Sequence, residues 1–136
     1  MKIIVCLDDG LGMTFNNRRQ SRDRRVIEDI LCMTEGSALY IAPFSQKLFS
    51  ETERDLTVDF DMLKNACDGE YCFVENIAVE PYISRAEELI IYRWNRRYPS
   101  DMRFCADPIK EGLALVSTTE LEGYSHEKIT KEIYRR

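Results

Sequence analysis

The sequence predicts an α/β protein whose mixed sheet is parallel in its core, ends in a C-terminal antiparallel hairpin, and carries helices on both faces. Two observations carry that expectation. Short apolar, β-branched runs alternate with segments of helical apolar spacing, in the order β-α-β-α-β-α-β. Two further strand-like runs follow, separated only by a turn containing Gly123 and Ser125, which predicts a hairpin. With 136 residues, the chain from 1 to 136 is expected to form one domain around a single core.

Residues 2 to 8, KIIVCLD, read as a buried strand closed by Asp8-Asp9-Gly10. Residues 10 to 20 read as a loop opened by Gly10 and Gly12. Ser21 is expected to cap a helix running to about Met33, because Val26, Ile27, Ile30, Leu31 and Met33 share one face, and Gly36 suits its left-handed end. A strand follows at 38 to 42, a short helix at 43 to 49, and a brief strand at 56 to 60. Asp61 opens a helix through about Ala66, and residues 71 to 76 form the next main strand. The stretch 79 to 88 reads as a short helix, 89 to 95 as a strand, and 113 to 121 and 126 to 136 as the closing pair. In the last strand, Ile129, Ile133 and Tyr134 alternate imperfectly.

Composition narrows the function. An apolar fraction of 44% with 32% charged residues fits a soluble globular chain and excludes disorder. No apolar run approaches the roughly 18 residues that cross a bilayer, and the start, MKIIVCLDD, is too soon acidic for a secretory signal, so a cytoplasmic protein with no membrane partner is expected. Cys6, Cys32, Cys67, Cys72 and Cys105 are odd in number with no CxxC pair, which reads as buried free thiols. One histidine, His126, is too few for a histidine-based metal centre, and no metal is expected. A net charge of −5 argues against wholesale polyanion binding. Against that background, "RRQSRDRR" places five arginines within residues 18 to 25, and "YRWNRRY" forms a second basic patch.

The layout resembles the dihydrofolate reductase family over nearly the whole chain, by the order and pattern of its motifs. "IIVCLDDGLGMTFNN" is similar to that family's opening strand, acidic turn and active-site loop, including its asparagine, here Asn16. "AEELIIYRWN" is similar to the family's A-D-x-L-Y-L-T, and the C-terminal pair falls where the family has its closing hairpin. The resemblance implies a cleft at the carboxyl ends of the strands, with NADPH as cofactor, a pterin as substrate, and an acid on the helix that follows the active-site loop. Asp23 is the residue that would take the acid's place as proton donor.

Departures from the pattern redirect that expectation. The family's Gly-Gly, where backbone closely approaches the dinucleotide pyrophosphate, is here Glu75-Asn76, and a carboxylate repels a diphosphate. The phosphate-gripping G-R-x-T is here APFSQ, residues 42 to 46. The chain is also shorter than the reductases, with the shortfall near residues 50 to 60, where a cofactor-facing segment would be. Arg19-Gln20 stands where the family carries Pro-Trp.

The reading preferred from sequence is therefore a small ligand-binding or inhibitory protein on a reductase-like scaffold, with no cofactor expected. It would act as a bacterial or phage accessory protein and possess the option of homodimerising. Its Arg-rich loop would receive a small anionic, nucleotide-like ligand, or an acidic or phosphorylated macromolecular partner, because guanidinium forks at a helix N-terminus bind anions. Asn16, Arg18, Arg19, Gln20, Arg22, Glu75, Asn76 and Trp94 are the expected ligand-binding residues, and Asp23 the expected catalytic residue. The alternatives are an NADPH- or flavin-dependent reductase of a pterin-like substrate, and an RNA-contacting protein that stacks bases on Trp94. His126 is expected to be structural or exposed, since no serine or cysteine stands at a catalytic spacing from it.

Overall fold

The computed structural model describes residues 1–136. Strand β1 (Lys2–Leu7) lies at the centre because it is apolar on both faces, with Ile3, Ile4 and Val5 fully buried. Around it, β6 (Tyr71–Val74) and β7 (Glu88–Arg93) pair in parallel, with Ile4 opposite Phe73 on one side and Ile90 on the other. β4 (Leu39–Ile41) and β5 (Thr57–Val58) extend the parallel half. β10 (Ile129–Arg135) and β9 (Ala114–Leu121) complete the other edge antiparallel, giving the order β5-β4-β6-β1-β7-β10-β9. The imperfect alternation in the last strand has a physical cause: a bulge shifts the β9–β10 register between Ile133 and Tyr134.

Helix α1 (Arg24–Met33) and the 3₁₀ turn Pro43–Phe49 cover one face of the sheet, where Val26, Ile30 and Phe49 meet Ile4, Phe73 and Tyr92. Helix α2 (Met62–Asn65) and the 3₁₀ turn Glu80–Arg85 cover the other, where Met62, Leu63 and Ile83 meet Ile3, Val5 and Leu89. The expected class, with helices on both faces of a mixed sheet, is the architecture found.

Three expectations need correction. Residues 10 to 20 are not irregular: β2 (Gly12–Phe15) turns back into β3 (Arg18–Arg19) and also pairs with β8 (Met102–Arg103) in a second, three-stranded sheet. Asn16 and Asn17 make that turn with φ of 51° and 58°, the left-handed pair of a type I′ hairpin that asparagine tolerates. Helix α1 starts at Arg24 rather than after Ser21, because Asp23 is extended and its carboxylate accepts from the Arg25 N–H at 2.9 Å. The thiols are all free, but only Cys72 is buried; Cys32, Cys67 and Cys105 are exposed. Burial pushes the Cys72 thiol up to about 12, so it packs as an inert hydrophobe. No helix is long and apolar enough to cross a membrane.

Candidate functional site

The carboxyl ends of β1, β6 and β7 converge on one edge of the sheet, the place where open α/β sheets bind ligands. Their last residues lead directly into Asp8, Glu75 and Trp94. Each of these three has a partner that sequence order does not suggest.

Glu75 is bonded from two directions. Arg19, delivered by β3, grips its carboxylate in a two-pronged contact, Nε to Oε2 at 2.5 Å and Nη2 to Oε1 at 2.7 Å. Ser45 Oγ, at the start of the Pro43–Phe49 turn, donates to Oε1 at 2.7 Å. The guanidinium also lies 5.3 Å from the Phe44 ring centroid. With side-chain exposures of 21% for Arg19 and 9% for Glu75, the pair is mostly removed from water. The result is a latch that ties β3, β6 and the 43–49 turn together across the strand ends. Beside it, the side-chain oxygens of Asn76 and Gln20 are buried without a hydrogen-bond partner. Each is unusual, since buried polar atoms are nearly always paired.

Asp23 sits on the other side of α1's first turn and is saturated. Its Oδ1 accepts from Arg25 N and Tyr124 N, and its Oδ2 from Ser125 N, His126 N and His126 Nδ1, all between 2.8 and 3.0 Å. Gly123 permits this close approach, because a Cβ there would stand 2.6 Å from Asp23 Oδ2 and 2.5 Å from the His126 carbonyl oxygen. An ionised carboxylate only accepts, so His126 Nδ1 carries a proton, and in the neutral ring Nε2 is then the acceptor. Ser21 Oγ lies 2.9 Å and Tyr98 Oη 3.2 Å from that Nε2. The Trp94 indole stacks on the imidazole at 4.6 Å between centroids. This joins residues 105 positions apart, so Ser21 and His126 escaped a reading based on spacing. Trp94 is 4% exposed, so it is a buried wall of this network and not the open stacking platform of the RNA-contacting alternative. Asp23 likewise offers no free lone pair to a pterin, and its place is structural: helix cap and partner of His126.

Burial works to raise the Asp23 carboxyl, but the hydrogen bond from His126 and those from the backbone hold it well below the usual carboxylate range. A group depressed on folding stabilises the protein above its unfolded pKa and loses that stabilisation as pH falls. The expected outcome is a urea midpoint that drops steeply once pH goes below about 4, and an Asp23→Asn variant with a flatter acid limb.

Asp8, 2% exposed, organises the base of the hairpin by accepting from Gly10 N, Gly12 N and Tyr98 N. Burial favours its neutral form, yet these backbone bonds keep its carboxyl below the usual range. Gln20 reaches the same centre through Nε2, to Asp8 Oδ2 and the Pro99 carbonyl.

The clustered arginines separate into three groups. Arg19 is spent on Glu75. Arg24 and Arg25 pair along α1 with Glu28 and Asp29, and Arg24 also lies over the Tyr124 ring. Arg18 and Arg22 are exposed, with no carboxylate in ion-pair range. Asn16 stands at the hairpin tip, where its N–H donates to Asp101. In the second basic patch, Arg93 is paired with Glu132.

A groove of about 540 Å³ runs between α1 and the 43–52 segment. Ile27, Leu31, Leu48 and Phe49 give it an apolar floor. Arg22, Arg24 and Lys47 line it together with Asp23, Glu28 and Glu51. Because Glu28 is matched by Arg24, the remaining charges are two cations, Arg22 and Lys47, and two carboxylates, Glu51 and the Asp23 group already held by its five hydrogen bonds. No group of three or more histidine, cysteine, aspartate or glutamate side chains is placed to hold a metal ion.

Sheet order, the strand-end cleft and the flanking helices define the class: this is the dihydrofolate reductase fold. The chain superposes on the dihydrofolate reductase of Enterococcus faecalis, solved complexed with NADP(H) and RAB-propyl, with a TM-score of 0.71 over 99% of this chain and 95% of that one. The two are 9% identical, so the likeness is one of fold. No protein-family model matches the chain, and no curated protein matches it by sequence.

Proposed function

We propose that this is a ligand-binding protein on a reductase scaffold, taking a small anion with a flat apolar body in the groove between α1 and residues 43–52. The observation that carries the reading is the Arg19–Glu75–Ser45 latch at the end of β6. A dinucleotide needs bare backbone and positive potential at such a strand end; here there is a carboxylate already neutralised by the nearest arginine. The groove, in contrast, is open, and Arg22 and Lys47 stand on its walls without partners. Nucleotides and aromatic carboxylates share the required chemistry. The exposed, unpaired Cys32, Cys67 and Cys105 suit a reducing compartment such as the cytoplasm.

A thermal-shift panel of nucleoside phosphates, aromatic carboxylates and NADPH tests this. A groove ligand at 100 times its dissociation constant adds about 2.7 kcal/mol, which for a domain of this size is a rise on the order of 10 °C. Arg22→Ala and Lys47→Ala are each expected to remove most of that rise. A panel in which NADPH alone stabilises the protein, and both variants respond as the parent does, contradicts the proposal.

A further inference from the structure

Ser21, His126 and Asp23 form an ordered relay that anion binding does not require. Ser21 Oγ is 2.9 Å from His126 Nε2, and His126 Nδ1 is 3.0 Å from Asp23 Oδ2. The three parts differ in exposure in the way a nucleophile and its base require. Asp23 and His126 are buried, and Ser21 is partly exposed. The carboxylate is fixed by four backbone N–H groups, which leaves it one side-chain partner, the imidazole. Trp94 holds the ring plane from one side. Tyr98 Oη approaches Nε2 at 3.2 Å, farther than Ser21 does. A serine that only filled space would not need a base whose free nitrogen faces it and whose tautomer is set from behind.

We propose that Ser21 is a nucleophile activated by His126, and that the protein catalyses hydrolysis of carboxylic esters at this site. In the first half, Ser21 Oγ adds to the ester carbonyl carbon as its proton passes to Nε2. The bond to the alcohol oxygen then breaks, and Nε2 returns the proton to that oxygen. In the second half water repeats the sequence on the acyl-serine, so ester and water become acid and alcohol and Ser21 is regenerated. The backbone N–H of Arg22, the residue after the nucleophile, makes no hydrogen bond within the chain and is free to face the carbonyl oxygen as charge develops there. The cavity beside Ser21, lined also by Cys6, Val26, Phe73 and Trp94, has room for about 10 Å³. That is about the space of one water molecule, so the ester reaches Ser21 from the adjoining groove, whose inner wall shares Arg22, Ile27 and Leu48 with this cavity. Asp23 is a positioning residue here, acting through His126.

The test uses the intact protein and an uncharged alkyl fluorophosphonate, whose P–F bond is displaced by an activated serine with loss of fluoride. Intact mass is expected to show one phosphonyl group, and peptide mapping to place it on Ser21. Ser21→Ala, which leaves the His126–Asp23 bond in place, should abolish the adduct, and His126→Gln should slow it by about 100-fold or more. Circular dichroism checks that both variants are folded. The folded parent staying unlabelled, or an adduct that persists in Ser21→Ala, overturns the proposal. Because the probe carries no charge, its reaction reports Ser21 independently of anion binding in the groove, so either reading can fail without the other.

Discussion

Replacing Asp23 with alanine is expected to remove about 3 to 5 kcal/mol of folding free energy, read as a lower urea midpoint at neutral pH. Two losses combine. The first turn of α1 loses its cap on Arg25 N, an effect of about 1 kcal/mol on its own. The larger part comes from the 124–126 segment, where three backbone N–H groups and the His126 Nδ1–H lose their acceptor together. His126 is 4% exposed, so water cannot readily replace the carboxylate there. Asp23→Asn should fall between the parent and Asp23→Ala, because the amide keeps one acceptor oxygen but turns two donors toward donors. An alanine variant within about 1 kcal/mol of the parent would show that Asp23 is not the tie between α1 and the C-terminal hairpin.

The second large effect concerns the latch. Glu75→Ala strands the mostly buried Arg19 guanidinium and is expected to destabilise by about 2 to 4 kcal/mol. Removing Arg19 as well should recover part of that loss, because the double variant leaves no unmatched charge. A double-mutant cycle of Arg19→Ala with Glu75→Ala should give a coupling of about 1 to 3 kcal/mol, and a value near zero would mean that the two residues are neighbours without being partners. Ser45→Ala should weaken the latch less, since it removes one neutral donor and leaves the two-pronged contact intact.

Both effects concern residues that the sequence marks only in part. The parallel core was legible because its strands are short and apolar on both faces: Ile3, Ile4 and Val5 leave no polar side to mislead. Glu75 was legible as a departure from the reductase pattern, since a carboxylate at a glycine position changes what can approach it. Its partnership with Arg19 was not, because 56 residues separate them and only the β2–β3 hairpin brings the arginine inward. That hairpin was hidden by its brevity: β3 is two residues long, too short for alternation to register. Its one local signal is Asn16-Asn17, a pair suited to left-handed turn positions. The helix starts two residues later than its first candidate cap implies, since Ser21 and Asp23 are both good caps by type and only the fold decides between them. Ser21 instead faces His126, which arrives from the other end of the chain. The arginine cluster, the most visible feature of the sequence, proves to be three things: a latch, a pair of helix-surface ion pairs, and two free cations at 18 and 22.

In the proposed function the Arg19–Glu75 contact keeps a dinucleotide from the end of β6. Calorimetric titration of the unmodified protein with NADPH, followed by a crystal soaked in the same cofactor, tests this most directly. No saturable heat at millimolar NADPH, and an Arg19–Glu75 contact unchanged in the soaked crystal, is the result predicted. Saturable binding with the diphosphate seated against residues 75 and 76, and Arg19 swung away from Glu75, would contradict it.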